Sequence, residues 1–526
     1  MKILICIPFL IVSIVILNSC NKNLLETIPN DRVTSAIFWK TDNDAVLAAN
    51  AIYTKLPGAD VFTNWDAMSD IGHVTLGWRD QSIMEKGAYD ATIYPVLAEW
   101  NNDYAAIQAS NIFLGNVDKI SAHDPKLIKT LTGEVKVLRA FFYIHLAELY
   151  GDVPLITSEI SLEDSRKLTR TPVSEVWDFV SKELLEAADL LPVSQTQKGR
   201  ITKGAALALQ ARAMLFAHRF QEAADAAMQV IDLKVYSLYP SYEKLFSYEA
   251  ENNQEVIFDK EYIKNIQSNN IFALTTPNSL FAQVNSFVPT KNAVDAYEMN
   301  NGKSISDPTS GFNPKDPYKN RDPRLKYSIF VLGDILPNGK IYDSRPESGT
   351  GDAIGFSENS TATGFNVKKY VNKEDMADPN NCGINIIYIR YAEVLLIYAE
   401  AKIELNQMDQ TVLDAINTIR ERPDVNMPPI ENIGSQEQMR KIVRHERLVE
   451  LAFEGLRYFD IRRWKIGEEV IPGIIYGMTY VDENGQLSTI SITGFSKVFD
   501  KNRDYLWPIP QTEVLMNPGL EQNPGW

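Results

Sequence analysis

Between Arg444 and Trp464 the chain reads RHERLVELAFEGLRYFDIRRW. A helical period places Leu448, Leu451, Ala452, Leu456 and Phe459 on one apolar face. The other face carries five arginines against Glu446, Glu450, Glu454 and Asp460. Glu454–Arg457, Arg457–Asp460 and Asp460–Arg463 each stand three residues apart, a spacing that predicts pairing along a helix. Exposed pairs of this kind contribute only about 0.3–0.5 kcal/mol each. A solvated charged helix therefore gives little reason for so dense a two-sign pattern. The pattern predicts a partly buried network that fixes how neighbouring helices dock. A chain of 526 residues with 45% hydrophobic content can bury the large core such a network needs.

Helical periodicity runs through much of the remainder. Asp42 to Leu56, Trp100 to Ile120, Lys129 to Tyr150 and a segment from about Val173 to Leu191 each show an apolar face or a helix-type start and stop. Thr202 to Ala217 and Gln221 to Leu233 form a tight helical hairpin about Arg219-Phe220. Alanine recurs on both arms, at 205, 206, 208, 211, 213 and 217 and again at 223, 224, 226 and 227. Small side chains let helices approach closely, the packing of tetratricopeptide-type pairs. Arg390 to Leu405 followed by Thr411 to Glu421 repeats the plan. The fold class expected is mainly α, a helix-pair scaffold with long loop-rich insertions and a few short strands.

Two stretches lose the helical period. Residues 57 to 95 mix Gly58, Gly72, Gly77 and Gly87 with Trp65, Trp78, Tyr89 and Tyr94, and read as a long ordered excursion suited to carry binding groups. Residues 236 to 384 are mostly loop-like, with Val256 to Phe258 and Tyr327 to Phe330 as candidate strands. Arg321-Asp-Pro-Arg324 reads as a turn held by an Asp–Arg pair. The proline-rich tail, Tyr505 to Pro510 and Asn517 to Trp526, is expected to run extended, anchored by Trp507 and Trp526.

The N-terminus has its own logic. Ile3 to Leu17 is apolar apart from Ser13, too short to span a bilayer and suited to a signal-peptide core. It ends in Leu17-Asn-Ser-Cys20, which resembles a bacterial lipobox with Cys20 as the lipidated residue. Two acyl chains there would hold the protein at a membrane stably. With Cys6 removed and Cys20 acylated, Cys382 stands alone and no intrachain disulfide forms. A net charge of −16 argues against nucleic acid as a partner, because such binding needs a basic face.

A catalytic constellation is not legible. His73, His123, His145, His218 and His445 form no HExxH motif and no Cys/His cluster, and His145, His218 and His445 read as structural residues inside helices. No GxSxG, P-loop or GxGxxG occurs, and neither cofactor nor metal is implied. The 68 acidic residues leave open a glycosidase-like carboxylate pair, for which Asp66, Asp70 and Asp80 in the excursion are the first candidates. Accepting hydrogen bonds from ligand hydroxyls, or simply facing solvent, is the preferred reading of these three. Six of the tryptophans fall in helices or packing motifs, which leaves Trp65 and Trp78 as aromatic platforms. Each has suitable polar neighbours, Asn64 and Asp66 beside the first, Arg79 and Asp80 beside the second.

The Arg444–Trp464 run, the Leu138–Pro154 segment, Arg321–Arg324 and both ends of the mature chain together resemble the SusD/RagB family of outer-membrane nutrient-binding lipoproteins. The resemblance covers essentially the whole mature chain. It implies a superhelical scaffold of four helix pairs. The chain then divides into a signal peptide at 1–19, an N-terminal helical region at 20–235 and a C-terminal region at 236–526. The resemblance also implies a non-catalytic lipoprotein, anchored to the outer membrane and facing the exterior. Such a protein binds a glycan and hands it to a SusC-like TonB-dependent transporter. A peptide ligand, a lipid-anchored all-α glycosidase and a helical scaffold for protein partners alone are the alternatives. Family ligand contacts come from the N-terminal excursion and from later loops. Asn278, Phe281 and Tyr297 are therefore added as candidates, in a stretch mixing aromatics with Asn and Pro.

Overall fold

The computed structural model describes residues 38–120, 123–281 and 287–526; the signal peptide and Cys20 lie outside them. Helices numbered here are those that carry the argument. Asp42–Tyr53 (α1) starts at a capping box, with the Thr41 hydroxyl accepting from the Asp44 amide and the Asp44 carboxylate accepting from the Thr41 amide. Ala59–Ala67 (α2) and Asp80–Glu85 (α3) follow, then the long helices Tyr94–Asn116 (α4) and Pro125–Tyr150 (α5). Pro125 opens α5 where an amide would have no partner, and Asp124 accepts from the Lys126 amide. Val173–Leu190 (α6), Lys203–Phe216 (α7) and Phe220–Asp232 (α8) complete the first half. The second half holds Tyr391–Glu404 (α9), Gln410–Arg420 (α10), Gln436–Glu450 (α11), Arg457–Arg463 (α12) and Gln511–Met516 (α13).

These helices stack in sequence, α4 on α5, α5 on α6, α6 on α7, α7 on α8, α8 on α9 and α9 on α10. Every residue of α7 from Gly204 to Phe216 is buried, which accounts for its alanines: it is covered by α6, α8 and α9 at once. Side-chain ion pairs fix the stack. Arg139 of α5 pairs with Glu183 of α6, and Arg212 of α7 donates through Nε to Glu393 in the first turn of α9 at 2.7 Å.

The strands pair as four separate two-stranded antiparallel sheets among the described residues. Gly72–Val74 (β1) pairs with Phe287–Pro289 (β3), and Val256–Lys260 (β2) with Ile386–Arg390 (β6). Ile329–Phe330 (β4) pairs with Asn366–Val367 (β5), and Gly473–Val481 (β7) with Leu487–Lys497 (β8). A second core forms where β1, β3 and β7 meet the end of α11, around Phe287, Tyr297, Leu325, Phe453 and Met478.

Three expectations change. The signature stretch is two helices and not one: α11 ends at Glu450, and the chain turns through Phe453 (φ 63°) and Gly455 (φ 76°) before α12 begins. Of the three pairs expected along it, Asp460–Arg463 forms at 2.7 Å, whereas Glu454 and Arg457 turn to distant partners. The tail is not wholly extended, since Gln511–Met516 is helical; Trp507 is buried and the Trp526 indole donates to the Leu506 carbonyl at 3.0 Å. His218 sits in the turn after α7 at φ 58°, not within the helix.

The charge network is buried and reaches far along the chain. Glu450 accepts from Arg390 at 2.7 Å and from Arg324 and Arg422 at 2.9 Å. Glu454 accepts from Arg390 and from Lys369, both at 2.7 Å, and Glu255 accepts from Arg390 and Arg422. Arg463 forks onto Glu400 of α9, and the Trp464 indole donates to the same carboxylate at 2.6 Å. Asp322 and Arg324 form the expected turn pair, with Arg324 reaching on to Glu446. The arginines hold all three glutamates on and after α11 below the ordinary carboxylate range.

Candidate functional site

The excursion at residues 57 to 95 is ordered because the signature stretch grips it. Asp66, at the end of α2, accepts from the backbone amides of Gly455 at 2.9 Å and Arg457 at 3.0 Å, the entry to α12. Burial pushes its carboxyl up to about 7 against the pull of those two amides. Asp70 takes a two-pronged pair from Arg457, at 2.8 and 2.7 Å. Beyond it, β1 pairs with β3, and Glu85 of α3 reaches back to the Val74 amide at 3.2 Å and His73 Nδ1 at 3.1 Å. Lys497 closes the base, paired with Glu85 at 2.7 Å and donating to the carbonyls of Ala67, Ser69 and Gly72.

On this base the turn between β1 and α3 lifts one large aromatic into solvent. Leu76 is buried, but Trp78 is 72% exposed. The Arg79 guanidinium carbon lies 5.7 Å from the Trp78 ring centroid, within cation–π range. Arg79 is half-buried, with its Nε shielded from water, so the guanidinium sits fixed beside an open aromatic face. Burial pulls this guanidinium below its ordinary value, opposed by Asp60. Asp80, half-buried, opens α3. Tyr94, at the start of α4, is a second aromatic of the excursion with its side chain in water, 71% exposed. An aromatic face with a forked donor and a carboxylate beside it can stack on a sugar ring and bond vicinal hydroxyls.

The other candidates lie elsewhere. Trp65 does not face solvent: it is 6% exposed and packs 5.2 Å from Tyr458, 5.1 Å from Phe459 and 5.4 Å from Trp507. The unbroken loop expected at 57 to 95 contains α2, and the apolar side of that helix turns Trp65 into the core. Asp66 and Asp70 are engaged in the grip just described. Asn278 is buried and donates to the Gly351 carbonyl at 2.6 Å. Tyr297 is buried in the second core and Phe281 is half-buried against the main one. Trp78, Arg79 and Asp80 are thus brought together at the surface, while Asn278, Phe281 and Tyr297 are not brought to them. Cys382 is buried and free, its thiol pushed up to about 12 by burial, which leaves it inert as a nucleophile. Reading the sequence missed Glu85 and Lys497, which hold the turn under Trp78; no local pattern marks partners more than 400 residues apart.

Comparison with known proteins decides the family. Residues 254–526, more than half of the chain, match the family model described as the SusD family. The chain belongs to the SusD family. Residues 30–215 match a further model described as starch-binding and associating with the outer membrane. SusD-like protein P2 of Formosa agariphila is 29% identical over 448 residues, covering 82% of this chain and 81% of the relative. SusD-like protein P38 of the same organism is 26% identical over 99% of this SusD-family chain and 98% of its own. A SusD-like carbohydrate-binding protein from Bacteroides fragilis superposes with a TM-score of 0.85 at 28% identity, covering 92% of this chain and 100% of that one. A laminarin-binding SusD-like protein gives a TM-score of 0.71 at 21% identity over 93% of this chain and 100% of its own, a likeness of fold.

Proposed function

We propose that this SusD-family protein is a non-catalytic surface lipoprotein that binds a glycan at the Trp78 turn and passes it to a SusC-like TonB-dependent transporter. The observation that carries the reading is Trp78 itself. Its indole is 72% exposed beside the Arg79 guanidinium, which gives a sugar ring an open aromatic face to stack on. Its support by Glu85, Lys497 and the Asp66 and Asp70 contacts makes the platform rigid before ligand arrives, which spares ordering entropy on binding. Attachment through Cys20 to the outer membrane, exterior-facing, belongs to the same reading and rests on the Leu17–Cys20 pattern. Two of the three candidate carboxylates, Asp66 and Asp70, are committed to structural contacts, which speaks against a hydrolytic pair formed from them.

The test is calorimetric binding of the mature protein to a panel of glycans, with peptides included. Trp78→Ala and Arg79→Ala are then measured against the tightest ligand. Loss of a sugar-stacking aromatic should weaken binding by about tenfold or more, an aromatic contact being worth about 0.5–1.5 kcal/mol beyond its buried area. A folded double variant that binds as tightly as the parent removes this site. Cys20→Ala should release the protein from the outer-membrane fraction and stop labelled palmitate uptake.

A further inference from the structure

Beneath the excursion, α4 and α5 bring a second group of side chains together. Glu99 and Asp103 lie one turn apart on α4, and His145 faces them from α5. His145 Nδ1 stands 2.8 Å from Asp103 Oδ2 and 3.9 Å from Glu99 Oε2. One potential ligand atom from each of the three lies within 4.8 Å of the other two. Asp103 and His145 are buried, whereas Glu99 is half-buried and gives a route from solvent. No lysine or arginine forms an ion pair with Glu99 or Asp103 among the described residues, so two shielded carboxylates share one imidazole.

An independent feature adjoins this group. Glu148, one turn past His145 on α5, has an Oε1 shielded from water and without any hydrogen-bond partner. With His145, though not with Glu99 or Asp103, it lines a partly open pocket of about 80 Å³, whose walls include Trp65, Arg212 and Phe459. That space is large enough for an ion with a water, and a shielded carboxylate oxygen without a partner at its wall is a costly feature. The other charged groups that act on His145 and Glu148 from packed elements are Arg212 of α7 and Arg463 and Asp460 of α12. Both arginines are already committed, to Glu393 and to Glu400.

We propose that Glu99, Asp103 and His145 form a binding site for one divalent transition-metal ion of the Zn²⁺ type, with Glu148 on the adjoining cavity as a further acceptor. Imidazole with carboxylates suits zinc or its neighbours, whereas calcium takes oxygen ligands alone. On binding, the proton shared by His145 Nδ1 and Asp103 leaves to solvent, and both lone pairs turn to the ion. Bonds of about 2.0–2.2 Å require side-chain shifts of about an ångström from the present spacing. The ion would cross-link α4 to α5 directly under α2, where the His145 ring meets the Trp65 edge at 5.5 Å. The proposal is independent of the glycan reading.

The experiment uses the untagged mature protein, stripped with chelator and titrated with Zn²⁺ alone by calorimetry, then with Co²⁺ by visible absorption. One ion per chain, a raised melting temperature and a cobalt band of low coordination number are expected. His145→Ala should lose at least about tenfold in affinity, as should Glu99→Gln, the more conservative of the two changes. No zinc binding by the folded parent overturns the site, and so does unchanged affinity in folded His145→Ala and Glu99→Gln. Binding of calcium in preference to zinc also overturns it.

Discussion

At the scale of single residues, the same residue type divides into two roles according to what surrounds it. Arg457 and Arg79 are both beside tryptophans, yet Arg457 is tied to Asp70 in the interior and Arg79 keeps an unpaired Nε. Removing one partner of a buried pair leaves the other charge uncompensated. Arg457→Ala should therefore cost about 3–5 kcal/mol of unfolding free energy, measured by urea denaturation. Trp78→Ala, by contrast, should change stability by no more than about 0.5 kcal/mol, because an indole 72% exposed buries little area. A large loss of stability in that variant would show that Trp78 is a structural anchor. The sequence made Arg457 legible as structural through its two-sign surroundings. It hid the partner, since Asp70 is 387 residues away and spacing along a helix reports only local pairs.

At the scale of elements, the turn between α11 and α12 is what lets one stretch serve two cores. A continuous helix would carry Glu454 and Arg457 past the same neighbours. The break at Phe453 and Gly455 sends Glu454 to Lys369 and Arg390, and Arg457 to the excursion. Gly455 stands at φ 76°, where a side chain costs about 1–2 kcal/mol. Gly455→Ala should lower stability by that amount in chemical denaturation and loosen the Asp66 contact, visible as faster amide exchange at Gly455 and Arg457. The glutamates after the break also set the acid response. Their folded values lie below the ordinary 4.5, so their stabilisation is present above that pH and is lost as pH falls below it. Asp259 works the other way. Burial beside Glu261 raises it to about 7, so it withdraws stability as pH climbs from about 4 toward 7. Denaturation from pH 3 to 8 should show a steep fall below about 4.5, and Asp259→Asn should lessen the decline between 4 and 7. The β7–β8 hairpin was the element missed in reading the chain. Its signal was the Asn484-Gly485 turn between alternating residues, masked by the tail's proline-rich ending.

At the scale of the whole molecule, the two segments that match separate family models are not separable bodies. α8 packs on α9 across the intervening insertion, Arg212 of α7 pairs with Glu393 of α9, and Asp66 of the first segment caps α12 of the second. These cross-contacts bury charge, so neither segment is satisfied alone. Urea unfolding followed by fluorescence and by circular dichroism should give one coincident transition, and residues 20–235 expressed alone should not fold cooperatively. Two resolved transitions would mean that the shared network is weaker than its burial indicates.

The sequence by itself determined the helical framework, because amphipathic period, alanine content and caps act within a few residues of where they are written. The first helix starts at Asp42 as expected, although α5 begins at Pro125, four residues before the expected Lys129, and the alanines of 205–217 are buried between neighbouring helices. The family, too, was legible in Arg444–Trp464, whose composition only a buried network accounts for. Tertiary structure alone decided which aromatic faces water. Trp65 and Trp78 have similar polar neighbours in the chain, yet α2 turns the first into the core while the β1–α3 turn holds the second out. It decided equally that Asp66 and Asp70 are engaged by Gly455 and Arg457. Burial and long-range pairing depend on which distant segments arrive at a place, and no local pattern records that.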